Sequence, residues 1–194
     1  MQRVKDFLRR CKDEWNYPTI EPALVEVDLS GVTVDERACS TCKGQCCKAC
    51  GCYFSPRDFE KISYSYLKEA LLKGRISIAY VGKYVHRVNA YGTGVFYLRM
   101  RNKDAPIVDI ENVSRKGCML LTDKGCSLSY EERPLGAKAL KPKMHIEPDG
   151  EGVMFLCRQE YSMFAVCFEW LPYKRLLRQL AVEFSDGTQK IPEK

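Results

Sequence analysis

Histidine is scarce in this chain. His86 and His145 are the only two in 194 residues. Neither has a visible serine or aspartate partner, which argues against a hydrolytic triad. Either imidazole could complete a mixed metal site, but with so many thiols available cysteine is the favoured ligand. There is no run of about 18 apolar residues, so no membrane span is expected. The opening stretch, Met1–Arg10, lacks the apolar core of a secretory signal. The expected compartment is therefore the cytoplasm, where thiols stay reduced. No strong glycine pattern cradles a nucleotide or cofactor; Gly92-Thr93-Gly94 and Gly150-Glu151-Gly152 read as turns. Internal repeats and low-complexity segments are missing too. The net charge of +6 is spread along the chain, which permits anionic partners without demanding them.

What the chain does have is cysteine, eleven in all. Six of them, Cys39, Cys42, Cys46, Cys47, Cys50 and Cys52, fall in one short stretch. Thiolates crowded this closely repel one another unless a cation holds them. In a reducing compartment that cation is zinc or the iron of an iron–sulfur cluster. Cys39-x2-Cys42 has the spacing of a short turn that aims two sulfurs at one ion. Adjacent cysteines in an extended segment point to opposite sides, so Cys46 and Cys47 serve either different metals or two edges of one cluster. Cys118, Cys126 or Cys157 could join the site across the fold. Cys11 lies on an apolar helical stripe and reads as core.

The remaining pattern is that of a single α+β domain over residues 1–194, with 45% hydrophobic residues to build a core. Small antiparallel hairpins and about three helices are expected around a cysteine-rich metal-binding loop. Residues 1–36 read as a helix followed by an extended arm with a short strand at Leu24–Val27. The cysteine-cluster core spans 39–167. Ser55, Pro56 and Asp58 carry a helix-start signature, and the spacing predicts one helix from there to a stop at Gly74. Ile76–Tyr80, Tyr84–Val88 and Val95–Lys103 are β-rich, with the simplest reading a two-stranded hairpin. Within it Phe96, Leu98 and Met100 alternate with Tyr97, Arg99, Arg101 and Lys103, which predicts an outward polar face. A second hairpin turns at Thr122–Gly125 and brings Cys118 and Cys126 onto partner strands. Residues 141–152 read as a loop, 171–185 as a C-terminal helix and 186–194 as a frayed tail.

Two blocks of residues resemble a known family. Cys39-x2-Cys42-x3-Cys46-Cys47 is similar to the CxxCxxCC signature of the YkgJ-type cysteine-cluster proteins, described as zinc- or iron-chelating domains. Gly117-Cys118-Met-Leu-Leu and Gly125-Cys126-Ser-Leu-Ser-Tyr-Glu-Glu-Arg133-Pro134 are similar to that family's second element, and Cys157 occupies the place of a later cysteine. Gly51-Cys52-Tyr-Phe-Ser-Pro-Arg-Asp-Phe59 looks like a shorter branch of it. Three residues, not two, precede the Cys46-Cys47 pair. Ala137-Lys138 stands where the family usually has cysteine-arginine. The resemblance implies a thiolate metal site built from Cys39, Cys42, Cys46, Cys47, Cys52, Cys118, Cys126 and Cys157, with Cys50 and Cys167 in reserve.

Three functions compete at this point. The first is a cytosolic metal-binding protein holding zinc or iron. The second is an iron–sulfur redox or protein-modifying enzyme in the style of the flagellin lysine N-methylases, which carry a similar cluster. The third is a zinc-supported nucleic-acid or protein adaptor using Tyr97, Arg99, Arg101 and Lys103. Nucleic acid is disfavoured, because four residues on one strand make few phosphate contacts. Glu131 and Glu132 read as a solvated hairpin exit, and Arg133-Pro134 as a brace for the metal loop. The expected partner is a metal ion, with no membrane.

Overall fold

The structure is a computed structural model that describes residues 47, 52–81, 94–110, 116–138, 140–146, 153–159 and 163–192, with the backbone alone for 140–146, 153–159 and 163–165. It is α+β, built from three two-stranded antiparallel sheets and short helices. The N-terminal helix and arm, Tyr84–Val88, His86, Cys11, Cys39, Cys42, Cys46 and Cys50 lie outside the described residues.

The first strands are β1 (Ile76–Val81) and β2 (Val95–Met100), paired from Ile76 opposite Met100 to Val81 opposite Val95. Both outer edges are covered. The Phe54 N–H donates to the Leu98 carbonyl at 2.9 Å and the Met100 N–H to the Cys52 carbonyl at 2.6 Å. Residues 52–54 therefore lie antiparallel along β2, with Tyr53 opposite Arg99. On the far side Val108 lies parallel to Ile78, through Ile78 N–H to Ile107 O at 2.7 Å and Asp109 N–H to Ile78 O at 2.8 Å. Covered edges leave little backbone to solvate, so the strand pair sits deep in the molecule.

The helical start at Ser55 is real but short. Ser55 and Asp58 form a capping box on a single three-ten turn, Pro56–Asp58. The chain then extends through Phe59. A second cap, Ser63, accepts from the Tyr66 N–H and starts α1 (Tyr64–Leu72). The single helix expected from Ser55 to Gly74 is thus split, because two serine caps each claim their own turn. Gly74 does end it: at φ +77° its N–H reaches the Leu71 carbonyl at 2.9 Å.

The second hairpin turns where expected, with β3 (Leu121–Thr122) and β4 (Gly125–Cys126) and Leu121 opposite Cys126, but Cys118 is not on its strand and bridges to Asn102 instead. Thr122 fixes the turn, its hydroxyl donating to Gly125 O at 2.9 Å and accepting from the Lys124 N–H at 3.2 Å. A four-residue helix, α2 (Leu135–Lys138), follows Pro134. The expected loop at 141–152 is corrected in its first half: β5 (Leu140–Ile146) pairs along its whole length with β6 (Val153–Gln159). Proline argued against a strand there. In a two-stranded ribbon, however, N–H groups on the outer side need no partner, so Pro142 is tolerated. His145 is consequently a strand residue, opposite Met154.

The last elements are α3 (Met163–Phe168), a three-ten turn at Leu171–Tyr173 and α4 (Lys174–Phe184). Leu176, Leu177, Leu180 and Ala181 form the buried stripe of α4. Both α3 and α4 pack on β2, and α1 packs on β1 and α4. Trp170 is fully buried between these helices, its ring 5.7 Å from that of Phe59 and its indole N–H 2.7 Å from the Phe54 carbonyl. The tail is not frayed as far as 192. Gln189 accepts from the Ile110 N–H at 2.7 Å, and Arg178 donates to the Pro192 carbonyl at 3.1 Å.

The outward polar face of β2 is a second correction. All six residues of the strand are buried. Tyr97 stacks on Tyr53 at 5.2 Å, and Arg99, 1% exposed, faces Asp109, 0% exposed, at 3.6 Å. Arg101 folds back on the Ala105 carbonyl at 2.5 Å and on Gly74 O, leaving Lys103 as the exposed member of the stripe. The alternation was real, but segment 52–54 pairs along the strand's edge, the C-terminal helices pack on it, and a buried acid compensates the buried guanidinium. Arg99→Met alone is expected to cost about 3–5 kcal/mol, because it strands the Asp109 charge. Arg99→Met with Asp109→Leu should recover most of that loss. Urea unfolding of both variants checks this, and equal midpoints for single and double variants would refute it.

Candidate metal centre

Cysteines from distant parts of the sequence meet at the C-terminal end of β2. Cys52 is held there by its own carbonyl, which accepts from Met100. Two residues further on, Asn102 bridges to Cys118. That crossing is fixed by Lys103 N–H to Gly117 O at 2.9 Å and Met119 N–H to Arg101 O at 2.9 Å. Gly117, at φ +78°, supplies the left-handed turn that leads into Cys118. The Cys118 N–H in turn donates to the Cys47 carbonyl at 2.8 Å. Cys47 and the segment leading into the second hairpin are therefore in backbone contact.

Cys47, Cys52 and Cys118 are 5%, 6% and 2% exposed and form one apolar cluster with Met100 and Ala137. Phe54, Leu120, Leu121 and Leu128 close around it. Cys126 is half-buried beside Cys118, and no disulfide joins these thiols. The Leu120 N–H donates to the Cys118 sulfur at 3.4 Å. A backbone N–H aimed at sulfur from two residues on favours the thiolate. Burial opposes it and wins: the Cys118 thiol is pushed up to about 11, the neighbouring Cys52 and Cys126 adding to the shift and Arg99 opposing it. Left to itself Cys118 is thus a neutral thiol at pH 7, and a bound cation is what would ionise it.

Short helix α2 forms one wall. Both Asp58 carboxylate oxygens accept from the Leu135 N–H, at 2.9 and 3.1 Å, and one also accepts from Ser55 N–H at 2.8 Å. Burial holds the Asp58 carboxyl above its ordinary value despite these bonds. The Gly136 N–H reaches the Tyr53 carbonyl at 3.2 Å, and a Cβ on Gly136 would stand 2.5 Å from that oxygen. This close approach seats Ala137 among the cysteines.

Other expected site residues fall elsewhere. Cys167 is walled into the main core, 1% exposed, where burial raises its thiol far above the usual range. It is core, not a reserve ligand. Cys157 lies on β6 opposite Pro142, and β5 runs against α2. Arg133 donates to the Leu128 carbonyl at 3.4 Å, so it braces the hairpin exit. The guanidinium that acts on Cys118 is that of Arg99. Glu131 and Glu132 are exposed. Among the described residues, no group of three or more histidine, cysteine, aspartate or glutamate side chains is arranged to hold a metal ion. No helix among them is long and apolar enough to cross a membrane.

Sequence reasoning missed Met100, Asp58 and Gly136 as parts of this wall. The signals were present in part: Asp58 had been assigned to a cap, which it is, and its second partner at Leu135 lies far off in sequence. Known protein families, curated proteins and solved structures contain no match to this chain.

The wall yields a direct test. Gly136→Ala is expected to lower stability by about 1–3 kcal/mol, the usual cost of forcing atoms into a packed site. An unchanged urea midpoint would mean that the Tyr53–α2 approach is loose.

Proposed function

We propose that this chain is a thiolate metal-binding protein, with zinc as the favoured ion and iron as the alternative. The observation that carries this reading is the Cys118–Cys47 backbone bond at 2.8 Å. It joins two cysteine blocks that lie 71 positions apart in the chain (118 minus 47). The likeness to the YkgJ-type signature supports the same conclusion. Cys47 and Cys118 are the donors that the Cys118–Cys47 bond brings together. Cys52 and Cys126 are further candidates, although no three thiols among the described residues are arranged to hold an ion. Cys39, Cys42 and Cys46 would supply the rest. Cys157 is the remaining candidate.

The surroundings suit a closed site more than a catalytic one. Apolar side chains enclose Cys47, Cys52 and Cys118, and Asp123 in the hairpin turn and Glu131 and Glu132 after it are exposed. Zinc held only by sulfur needs no open coordination position, and its binding energy contributes directly to folding. Cytoplasmic location fits thiols kept reduced. The adaptor reading loses its basis, since Tyr97 and Arg99 are buried.

Anaerobically purified protein is expected to contain tightly bound zinc or iron by elemental analysis. A colourless protein identifies zinc, and visible absorption from sulfur-to-iron charge transfer identifies iron. Cys42→Ser and Cys118→Ser should each release the metal and cost several kcal/mol out of the roughly 10 kcal/mol typical of structural zinc. Cys11→Ser should leave metal content unchanged. A metal-free chain of undiminished stability would overturn the proposal.

A further inference from the structure

A cavity of about 500 Å³ opens between the turn that follows β2 and the C-terminal tail. Arg101 and Asp104 line it from the turn, Asp186 and Gln189 from the tail, and Ala105 and Pro106 give it an apolar part. Its size suits a small molecule. Local structure explains why these groups meet. Asp104, at φ +62°, turns the backbone so that the Ala105 N–H reaches the Asn102 carbonyl at 3.1 Å. The turn brings the Ala105 carbonyl back to Arg101 Nε at 2.5 Å, and Arg101 Nη1 donates to the Gly74 carbonyl at 3.4 Å. On the other side Gln189 fixes the tail by accepting from the Ile110 N–H at 2.7 Å. Asp186 Oδ1 accepts from the Thr188 hydroxyl at 2.6 Å and from its N–H at 2.9 Å, which holds the carboxyl below its ordinary range.

Both charged groups are therefore fixed by neutral partners. No ion pair among the described residues involves Arg101 or Asp186, whereas Asp104 is answered by Lys116. Arg101 Nη2 and Asp186 Oδ2 take no bond among the described residues. Arg101 is half-buried, and carbonyl partners leave its charge uncompensated, so it draws an anion. A simple anion is opposed by Asp186 at the same cavity, and a simple cation by Arg101. A molecule carrying both charges meets neither penalty.

We propose that this cavity binds a small zwitterion, an α-amino acid with an apolar side chain. Its carboxylate pairs with Arg101 through Nη2, its ammonium pairs with Asp186 through Oδ2, and its side chain lies on Ala105 and Pro106. No cysteine takes part, so the site stands apart from the metal-binding reading.

The test uses the full isotope-labelled chain with L-leucine as probe. Isocaproate, which lacks the ammonium, and isoamylamine, which lacks the carboxylate, are its single-charge analogues. Two charge-assisted bonds and a small apolar contact predict a Kd on the order of 1 mM. Leucine is expected to shift the amide resonances of Ala105, Thr188 and Gln189 saturably. Each analogue should bind at least about ten-fold more weakly, as the loss of one charged hydrogen bond implies. Asp186→Asn keeps an acceptor for Thr188; it should weaken leucine by about ten-fold and leave isocaproate binding no weaker. Arg101→Gln should weaken leucine and isocaproate alike. Because that change also cuts the ties to Ala105 and Gly74, Asp186→Asn carries the decision. Saturating leucine that moves none of the three resonances would overturn the proposal. So would either analogue binding as tightly as leucine, or an Asp186→Asn chain that binds leucine unchanged.

Discussion

The arrangement depends on one short run of backbone, Cys52–Phe54, laid along the edge of β2. Its hydrogen bonds satisfy the strand edge, which would otherwise be a row of open donors and acceptors. The same run then serves three other elements. Its Tyr53 carbonyl receives the Gly136 N–H, its Phe54 carbonyl receives the Trp170 indole, and its Cys52 faces the cysteine cluster. Sheet, core and candidate centre are therefore registered against one another by a three-residue segment. A shift of that segment by one residue would turn Cys52 away and Tyr53 in.

The chemistry of the cluster follows from its burial. A thiol in an apolar pocket is poorly nucleophilic and holds its proton, which is what burial does to Cys118. Under the metal-binding proposal, a bound cation would supply the charge that the pocket lacks, and the apolar wall would keep water from competing for it. The N–H of Leu120 aimed at the Cys118 sulfur is already in place for the ionised form. Arg99, held by Asp109, contributes fixed positive potential from beneath.

Polar ties hold the outer layer to this centre. Glu169 binds Arg57 and the Ser55 hydroxyl, and Glu183 binds Tyr64 and Lys68. These contacts anchor the three-ten turn and α1 to the C-terminal helices. Asp58 plays the corresponding part for α2. The walls of the cluster trace back to β2 and its continuation, through the Cys52–Met100 and Met119–Arg101 bonds and, for α2, through the Gly136–Tyr53 bond.

The sequence by itself determined the features that are local. Serine and glycine caps, the Thr122–Gly125 turn and the stripe of α4 are set by interactions over a few residues, and all are found. Cysteine crowding between Cys39 and Cys52 is likewise legible without a fold. Tertiary structure alone decided the rest. Alternation in β2 could not reveal that all of its residues are buried, because the cover comes from segment 52–54 along its edge and from helices far along the chain. The pairing of β5 with β6 was hidden by Pro142, whose tolerance depends on having one unpaired side. Which cysteines meet, and that Cys167 is core while Cys118 touches Cys47, is a matter of long-range packing. Residue spacing constrains contacts within a turn or a hairpin; beyond that range, only the buried interfaces determine which residues become neighbours.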